Sequence, residues 1–241
     1  MLKQSRGIVL SFIKYSETSI IAKIYTEKFG LQSYMVKGLR GKKSKVKIAL
    51  FEALNQVEII AYQKENKTIH NLKEIRISTA YQSIPIDITK RSISFFINEV
   101  LIKTIKEESP GEALFDWLSQ SLIWFDLAED NPHNFHLCFM MQLSRFLGFY
   151  PKKDSLPNYK YFDLESGLFT VSMPLTPNYL EGETARQFND IHESTFESAA
   201  KLSISSSQRR KLLDALIIYY KLHFPGFGEI KSIDILKTIL S

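Results

Sequence analysis

Six basic side chains lie within the eleven residues from position 37 to position 47, and no acidic residue interrupts them. They are Lys37, Arg40, Lys42, Lys43, Lys45 and Lys47. Cations at this density can neutralise phosphates and release the counterions condensed on a nucleic acid, which gives affinity for any base sequence. Five of the six are lysine, whereas bidentate reading of guanine favours arginine. We therefore predict phosphate contact without base specificity. A solvated loop that only improves solubility is the alternative.

Tyrosines are the second group with a possible role in binding. Four of them, Tyr15, Tyr25, Tyr34 and Tyr62, lie on or beside predicted strands of the same basic region. Stacking of a base on an exposed ring typically contributes about 1–3 kcal/mol. Tyr34 shares a predicted strand with Lys37, so Tyr34 is the ring that we predict to contact the nucleic acid. Half-buried tyrosines of any small barrel show the same pattern, which is the structural alternative.

A second basic cluster, formed by Arg209, Arg210 and Lys211, lies near the predicted start of a long helix. Cations at that end oppose the helix dipole by a few tenths of a kcal/mol. DNA phosphate or an acidic peptide would offset this cost, and we assign these three side chains to DNA binding.

Catalytic and metal-binding patterns are missing from the sequence. It contains no phosphate-binding loop of the G-x-x-x-x-G-K-[ST] type, no G-x-G-x-x-G and no G-x-S-x-G. His133 and His136 are three residues apart, and Cys138 is the only cysteine, so neither a zinc site nor a disulfide is expected. We predict a protein that is not an enzyme and needs no metal or cofactor. An enzyme with a helical catalytic domain is the reading that this argues against.

Composition favours a folded protein in a reducing compartment. The chain has 241 residues, of which 44% are hydrophobic, and it lacks both an eighteen-residue apolar run and a secretory signal at its start. We expect a cytoplasmic protein with no membrane partner. Residues 1–80 contain fifteen basic and six acidic residues, a net charge of +9, while residues 81–241 carry −4. This asymmetry indicates that the first part faces a polyanion and the second part does something else.

Hydrophobic periodicity divides the chain at about residue 80. Five segments before it alternate in polarity and predict strands at 7–12, 19–26, 31–37, 53–62 and 68–77. Five short strands of this size fit an oligonucleotide-binding (OB) fold barrel, so we predict an OB-fold domain over 1–80.

Helical spacing dominates the rest of the chain and predicts a mostly α-helical domain over 81–241. An insertion at 152–178 is rich in Lys, Pro, Asn, Ser and Gly, and is expected to be loop with one short hairpin in KYFDLESGLFTV. Ser109 and Glu112 match a capping box. The predicted helices near the end cover 179–190, 195–202, 207–223 and 230–240. The fold class is α+β.

Several motifs, in this order, resemble the RecO family of bacterial DNA repair proteins. The opening GIVLSFIKYSETSIIAKIYTEKFGLQSYMVKGLRGKKSK is similar to the start of that family. RFLGFYP (145–151) is similar to its Leu-Gly-Phe/Tyr-x-Pro segment, and YYKLHFPGFGEIKSIDIL (219–236) resembles its closing segment. The resemblance extends over nearly the whole chain.

The resemblance implies a recombination mediator with an N-terminal OB-fold and a C-terminal helical domain. Such a protein binds single- and double-stranded DNA, anneals strands, partners RecR and single-stranded DNA-binding protein (SSB), and helps to load a recombinase onto SSB-coated DNA. An OB-fold RNA-binding factor is the alternative function, because the same loop and tyrosines suit RNA.

The implied SSB tail is acidic and ends in a hydrophobic residue, so its capture requires an apolar pocket rimmed by cations. Arg145, Lys221 and His223 lie beside abundant Phe and Leu, and we predict that they bind this partner. Lys221 and His223 near a helix end are equally explained as partners of the helix dipole.

The chain departs from the family pattern in one respect. Many members carry a four-cysteine zinc module after the Gly-Phe/Tyr-x-Pro segment, and here KKDSLPNYKYFDLESGLF has no cysteine. We therefore predict no zinc. What the module does in other members is either done here by the SGLF hairpin or not done at all.

Overall fold

The computed structural model describes residues 1–38, 47–63, 67–106, 110–129, 132–153 and 159–240. The chain divides into two compact units. The first comprises Met1–Asp87 and Ile97–Leu127, and the second comprises Ile88–Phe96 and Ala128–Ser241. The domain limits 1–80 and 81–241 remain a prediction.

A closed five-stranded barrel forms the core of the first unit. Its strands are β1 (Leu2–Lys14), β2 (Ser19–Thr26), β3 (Gly30–Lys37), β4 (Gln56–Tyr62) and β5 (Ile69–Thr79). Their order is β1-β2-β3-β5-β4, and β4 pairs with β1 to close the barrel. The pairing of β3 with β5 is parallel and the others are antiparallel. All five predicted strands and the barrel are confirmed.

Alternating side chains fill the barrel interior. Ile20, Ala22 and Ile24 of β2 point inward and are buried, and Val36 of β3 joins them. A short 3₁₀ helix, Ile48–Phe51, adds the buried ring of Phe51. Residues i and i+2 of a strand share a face, so the intervening side chains of β2 and β3 lie on the outside of the barrel.

Helix α2 (Glu112–Leu127) packs against the barrel within the first unit. The Tyr25 hydroxyl donates to the Gly111 carbonyl at 3.3 Å, just before the helix. The buried amide of Gln56 donates to the Ser119 carbonyl at 3.0 Å and accepts from the Ser119 hydroxyl at 2.7 Å. Arg6 on β1 forms an ion pair with Asp116 at 2.8 Å. Sequence periodicity assigned this helix to the helical domain because periodicity carries no information on what a helix packs against.

The remaining helices confirm the mostly helical second part of the chain. α1 (Ile88–Thr104) contributes residues to both units. Among its described residues, the second unit contains five more: α3 (Phe135–Phe146), α4 (Gly182–Glu193), α5 (Phe196–Lys201), α6 (Ser206–His223) and α7 (Ile233–Ile239). Ser205 forms a capping box with Gln208 at the start of α6, whereas the capping box predicted at Ser109 lies outside the described residues.

A small sheet occupies the predicted insertion. Its strands are β6 (Lys152–Lys153), β7 (Tyr161–Asp163), β8 (Leu168–Thr170) and β9 (Tyr179–Glu181), in the order β6-β8-β7-β9. The antiparallel pair β7–β8 confirms the predicted hairpin. The prediction of loop for the rest of the insertion was wrong at β6, and the helix predicted from 179 begins three residues later because β9 pairs with β7. Phe162 and Phe169 anchor the sheet by packing on Phe188 of α4.

Within the described ranges, no helix is both long and apolar enough to cross a lipid bilayer.

Candidate nucleic-acid interface

The outward side chains of β1, β2 and β3 form three rows, which we call the outer barrel face. Cross-strand register defines the rows: Ser11, Lys23 and Ser33 in the first, Ile13, Ile21 and Met35 in the second, and Ser19 and Lys37 in the third. A row with a lysine therefore lies on each side of an aliphatic row.

The lysines of this face are open to solvent. Lys23 and Lys37 are exposed, and so is Lys47, which precedes the 3₁₀ helix. Among the described residues, no acidic group forms an ion pair with any of these three lysines. Their charges are consequently available to an external anion. Arg40, Lys42, Lys43 and Lys45 lie outside the described residues.

Tyr34 is not part of the outer barrel face. Its side chain is fully buried in the barrel core, where its ring packs against His70 with centroids 6.0 Å apart. Burial raises the pKa of its hydroxyl. The prediction that Tyr34 contacts nucleic acid was wrong, and the period of two explains why. Tyr34 is three residues from the outward-facing Lys37, so the two side chains point to opposite sides of β3.

Of the other three tyrosines considered for binding, one is buried and two are exposed. Tyr25 is buried against Phe115 of α2, whereas Tyr15 and Tyr62 are 64% and 45% exposed. Tyr15 lies at the β1–β2 turn, where its backbone N–H donates to the Ser19 carbonyl at 3.0 Å. Tyr15 is thus an exposed ring next to Ser19, which forms the third row together with Lys37. Sequence reasoning also missed Lys23, although its position between the buried residues Ala22 and Ile24 of an alternating strand was a usable signal.

Arg209 lies in the interior of the second unit. Its guanidinium donates to the Asn134 side-chain oxygen at 3.1 Å, the Leu240 carbonyl at 3.2 Å and the Ile204 carbonyl at 2.9 Å. Burial lowers the pKa of Arg209. The prediction that Arg209 binds DNA was therefore wrong, because its donors are directed at three neutral oxygens of the protein itself.

Arg210 and Lys211 are exposed on the same helix. Arg210 donates to the Lys237 carbonyl at 3.2 Å, an exposed contact that leaves its charge uncompensated. Both residues stay in the predicted DNA-binding set, in contrast to their neighbour Arg209.

The three residues predicted to bind a protein partner each make an internal contact. Arg145 lies over the ring of Tyr150 at 4.3 Å from its centroid, and His223 stacks on Phe149 with centroids 5.7 Å apart. Lys221 pairs with Glu229 at 2.7 Å. Arg145 and His223 thus contact two consecutive residues, Tyr150 and Phe149. Their role with a partner remains a prediction.

Side chains able to ligate metals are dispersed. Over the described parts of the chain, no group of three or more His, Cys, Asp and Glu residues could hold a metal ion. His136 is fully buried against Phe96, and burial lowers its pKa to about 3. Burial also raises the pKa of the Cys138 thiol to about 12, so this thiol stays protonated at neutral pH.

Comparison with known proteins accounts for both parts of the chain. A family model described as Recombination protein O N terminal matches residues 1–81, and one described as Recombination protein O C terminal matches residues 86–231. The chain belongs to the RecO family. The resemblance noted in the sequence is thereby confirmed.

Curated RecO relatives match along their whole length. DNA repair protein RecO of Bacteroides fragilis is 36% identical over 240 residues, which is 99% of each chain. That of Phocaeicola vulgatus is 34% identical over 241 residues and covers 100% of both. That of Flavobacterium psychrophilum is 36% identical over 239 residues, again 99% of each. The similarity to these relatives therefore extends over both parts of the chain.

Proposed function

We propose that this chain is a non-enzymatic mediator of DNA recombination that binds single- and double-stranded DNA through its barrel. The observation that carries the proposal is the outer barrel face, where Lys23 and Lys37 are exposed and pair with no acidic group of the described residues. The adjoining segment 38–47 adds five more basic residues. Charge of this kind binds phosphates irrespective of sequence.

Annealing follows from the same charge. Two complementary single strands repel each other through their phosphates, and a polycationic surface lowers that repulsion while both strands are bound. Base pairing then proceeds without any bond being made or broken, so the activity needs no nucleophile, metal or cofactor. In this proposal the helical part recruits SSB and RecR, and the protein helps to load a recombinase onto SSB-coated strands.

Salt titration of single-stranded DNA binding tests the charge mechanism. Substitution of Lys42, Lys43, Lys45 and Lys47 by alanine is expected to lower the affinity at low salt at least tenfold. The slope of log affinity against log salt should fall by about 3, since each phosphate contact on a single strand contributes about 0.7.

A matched control has the same loss of charge elsewhere. The control residues are exposed and distant in sequence from the barrel: Lys152, Lys160, Lys201 and Lys231. Their replacement by alanine should change the slope of log affinity against log salt by less than about 1. Equal effects of the two quadruple variants, or affinity that does not depend on salt in the wild type, would refute the proposal.

Binding of the SSB tail can be measured separately with an immobilised tail peptide. We expect capture of the protein by the intact peptide and loss of capture when the terminal hydrophobic residue is deleted. Arg145→Ala should weaken capture several-fold, because a cation at the rim pairs with the acidic tail. Capture that is indifferent to the terminal residue would argue against this partner.

A further inference from the structure

An aliphatic row crosses the middle of the outer barrel face, and the binding of phosphates by the lysines does not explain why it is there. Ile13, Ile21 and Met35 lie in register on β1, β2 and β3. Ile13 is 63% exposed, and Ile21 and Met35 are half-buried. Exposed aliphatic groups in register on three adjacent strands form a continuous apolar strip rather than isolated surface residues.

The strip lies between cations. Lys23 is two residues from Ile21 on β2, and Lys37 is two residues from Met35 on β3. At about 3.4 Å per residue, each lysine row lies about 7 Å from the strip, and the two lysine rows are about 14 Å apart. A DNA strand whose phosphates reach both lysines must therefore pass over the strip.

The apolar surface of the strip favours contact with the bases of the DNA strand over contact with its phosphates. Phosphates are excluded from apolar contact by their hydration, whereas each nucleobase has an apolar face. In a duplex these faces are stacked inside the helix and are out of reach. In a single strand they are free to lie on the strip.

We propose that the row Ile13–Ile21–Met35 contacts the unpaired bases of single-stranded DNA and so makes the barrel bind single strands more tightly than duplex. This inference rests on the proposed function, since it requires that the lysines hold the strand. The base contact releases no counterions and requires no particular base, because it depends on apolar area and not on charge or hydrogen bonds.

The aliphatic nature of the strip also suits annealing. Aromatic stacking of about 1–3 kcal/mol per base would hold each base firmly. The strip offers no ring, so a base leaves it readily when a complementary strand arrives.

An abasic strand tests this inference, because it retains the phosphates and lacks the bases. We expect the wild-type protein to bind oligothymidylate about tenfold more tightly than an abasic oligodeoxynucleotide of the same length. Ile13→Ser should lower the affinity for oligothymidylate about fivefold by removing apolar contact, and leave the affinity for the abasic strand unchanged. The salt slope should be the same for both proteins.

Two further variants serve as controls. Ile13→Leu keeps an aliphatic group and should bind as the wild type does. Ile86→Ser removes an isoleucine that is 82% exposed outside the strands, and it should leave both affinities unaltered. Equal binding of the two oligonucleotides by the wild type, or equal weakening of both by Ile13→Ser, would overturn the inference. Salt-independent binding, or none, would instead remove the proposed function on which it depends.

Discussion

Replacement of Arg209 by alanine is expected to destabilise the protein by about 3–5 kcal/mol. The substitution removes the donors that satisfy three oxygens, those of Asn134, Ile204 and Leu240. Each buried acceptor left unpaired costs about 1–3 kcal/mol. Thermal unfolding followed by circular dichroism should show a melting temperature lower by roughly 10 °C.

The adjacent residue supplies the control. Arg210 is exposed, and Arg210→Ala should change stability by less than about 0.5 kcal/mol. Below its melting temperature, the Arg209→Ala protein should bind DNA with the affinity of the wild type. Unchanged melting together with weaker DNA binding would show that Arg209 faces the ligand after all, and would contradict the interior position described above.

Asp126→Asn is expected to cost about 2–4 kcal/mol, for a related reason in the first unit. The buried carboxylate of Asp126 accepts the backbone N–H groups of Gln82 at 2.7 Å, Ser83 at 2.9 Å and Ile84 at 2.9 Å. Asparagine keeps one acceptor oxygen and replaces the other by an NH₂ group, so at least one of the three backbone N–H groups loses its acceptor and faces a like dipole. Chemical denaturation at neutral pH measures this loss.

The same carboxylate makes stability depend on pH. Burial alone would raise the pKa of Asp126, but the three backbone donors outweigh it and hold the pKa below its ordinary value. The stabilisation is therefore present above the unfolded-state pKa of about 3.9 and is lost as the pH falls through the lower folded-state pKa. In Asp126→Asn, the fall in stability below about pH 4 should be smaller than in the wild type.

Asp116 on the same helix provides the comparison. It is exposed and paired with Arg6, so Asp116→Asn should cost less than about 1 kcal/mol and keep the acid dependence of the wild type. An acid profile of Asp126→Asn that matches the wild type would mean that other carboxylates dominate the transition.

Local patterns of sequence were sufficient for the barrel and insufficient for parts of the site. Strand alternation is a property of neighbouring residues, so β2 and β3 were predicted almost to the residue. The same alternation, applied to Tyr34 and Lys37, would have shown that they point to opposite sides, and the error lay in treating a shared strand as a shared face. Helix position already favours Arg209 for the buried face, because the buried Leu212, Leu213 and Leu216 follow it by three, four and seven residues. The partners of its guanidinium could not have been predicted, because Asn134 and Leu240 are distant in sequence.

The strip on the outer barrel face illustrates a further limit. Ile13, Ile21 and Met35 are ordinary strand residues, and each reads as a candidate for the core. Only the pairing of three strands shows that they are in line and on the outside. Side chains of this type carry no charge or reactive group to draw attention to them in the sequence.

The packing of α2 on the barrel has a consequence for biosynthesis. Tyr25 and Gln56 direct polar atoms at Gly111 and Ser119, which are translated long after the last barrel strand. When β5 has just emerged from the ribosome, the segment that forms hydrogen bonds with Tyr25 and Gln56 has therefore not yet emerged. The barrel gains these hydrogen bonds only after residues up to Ser119 have emerged, and α2 begins more than thirty codons downstream of Thr79.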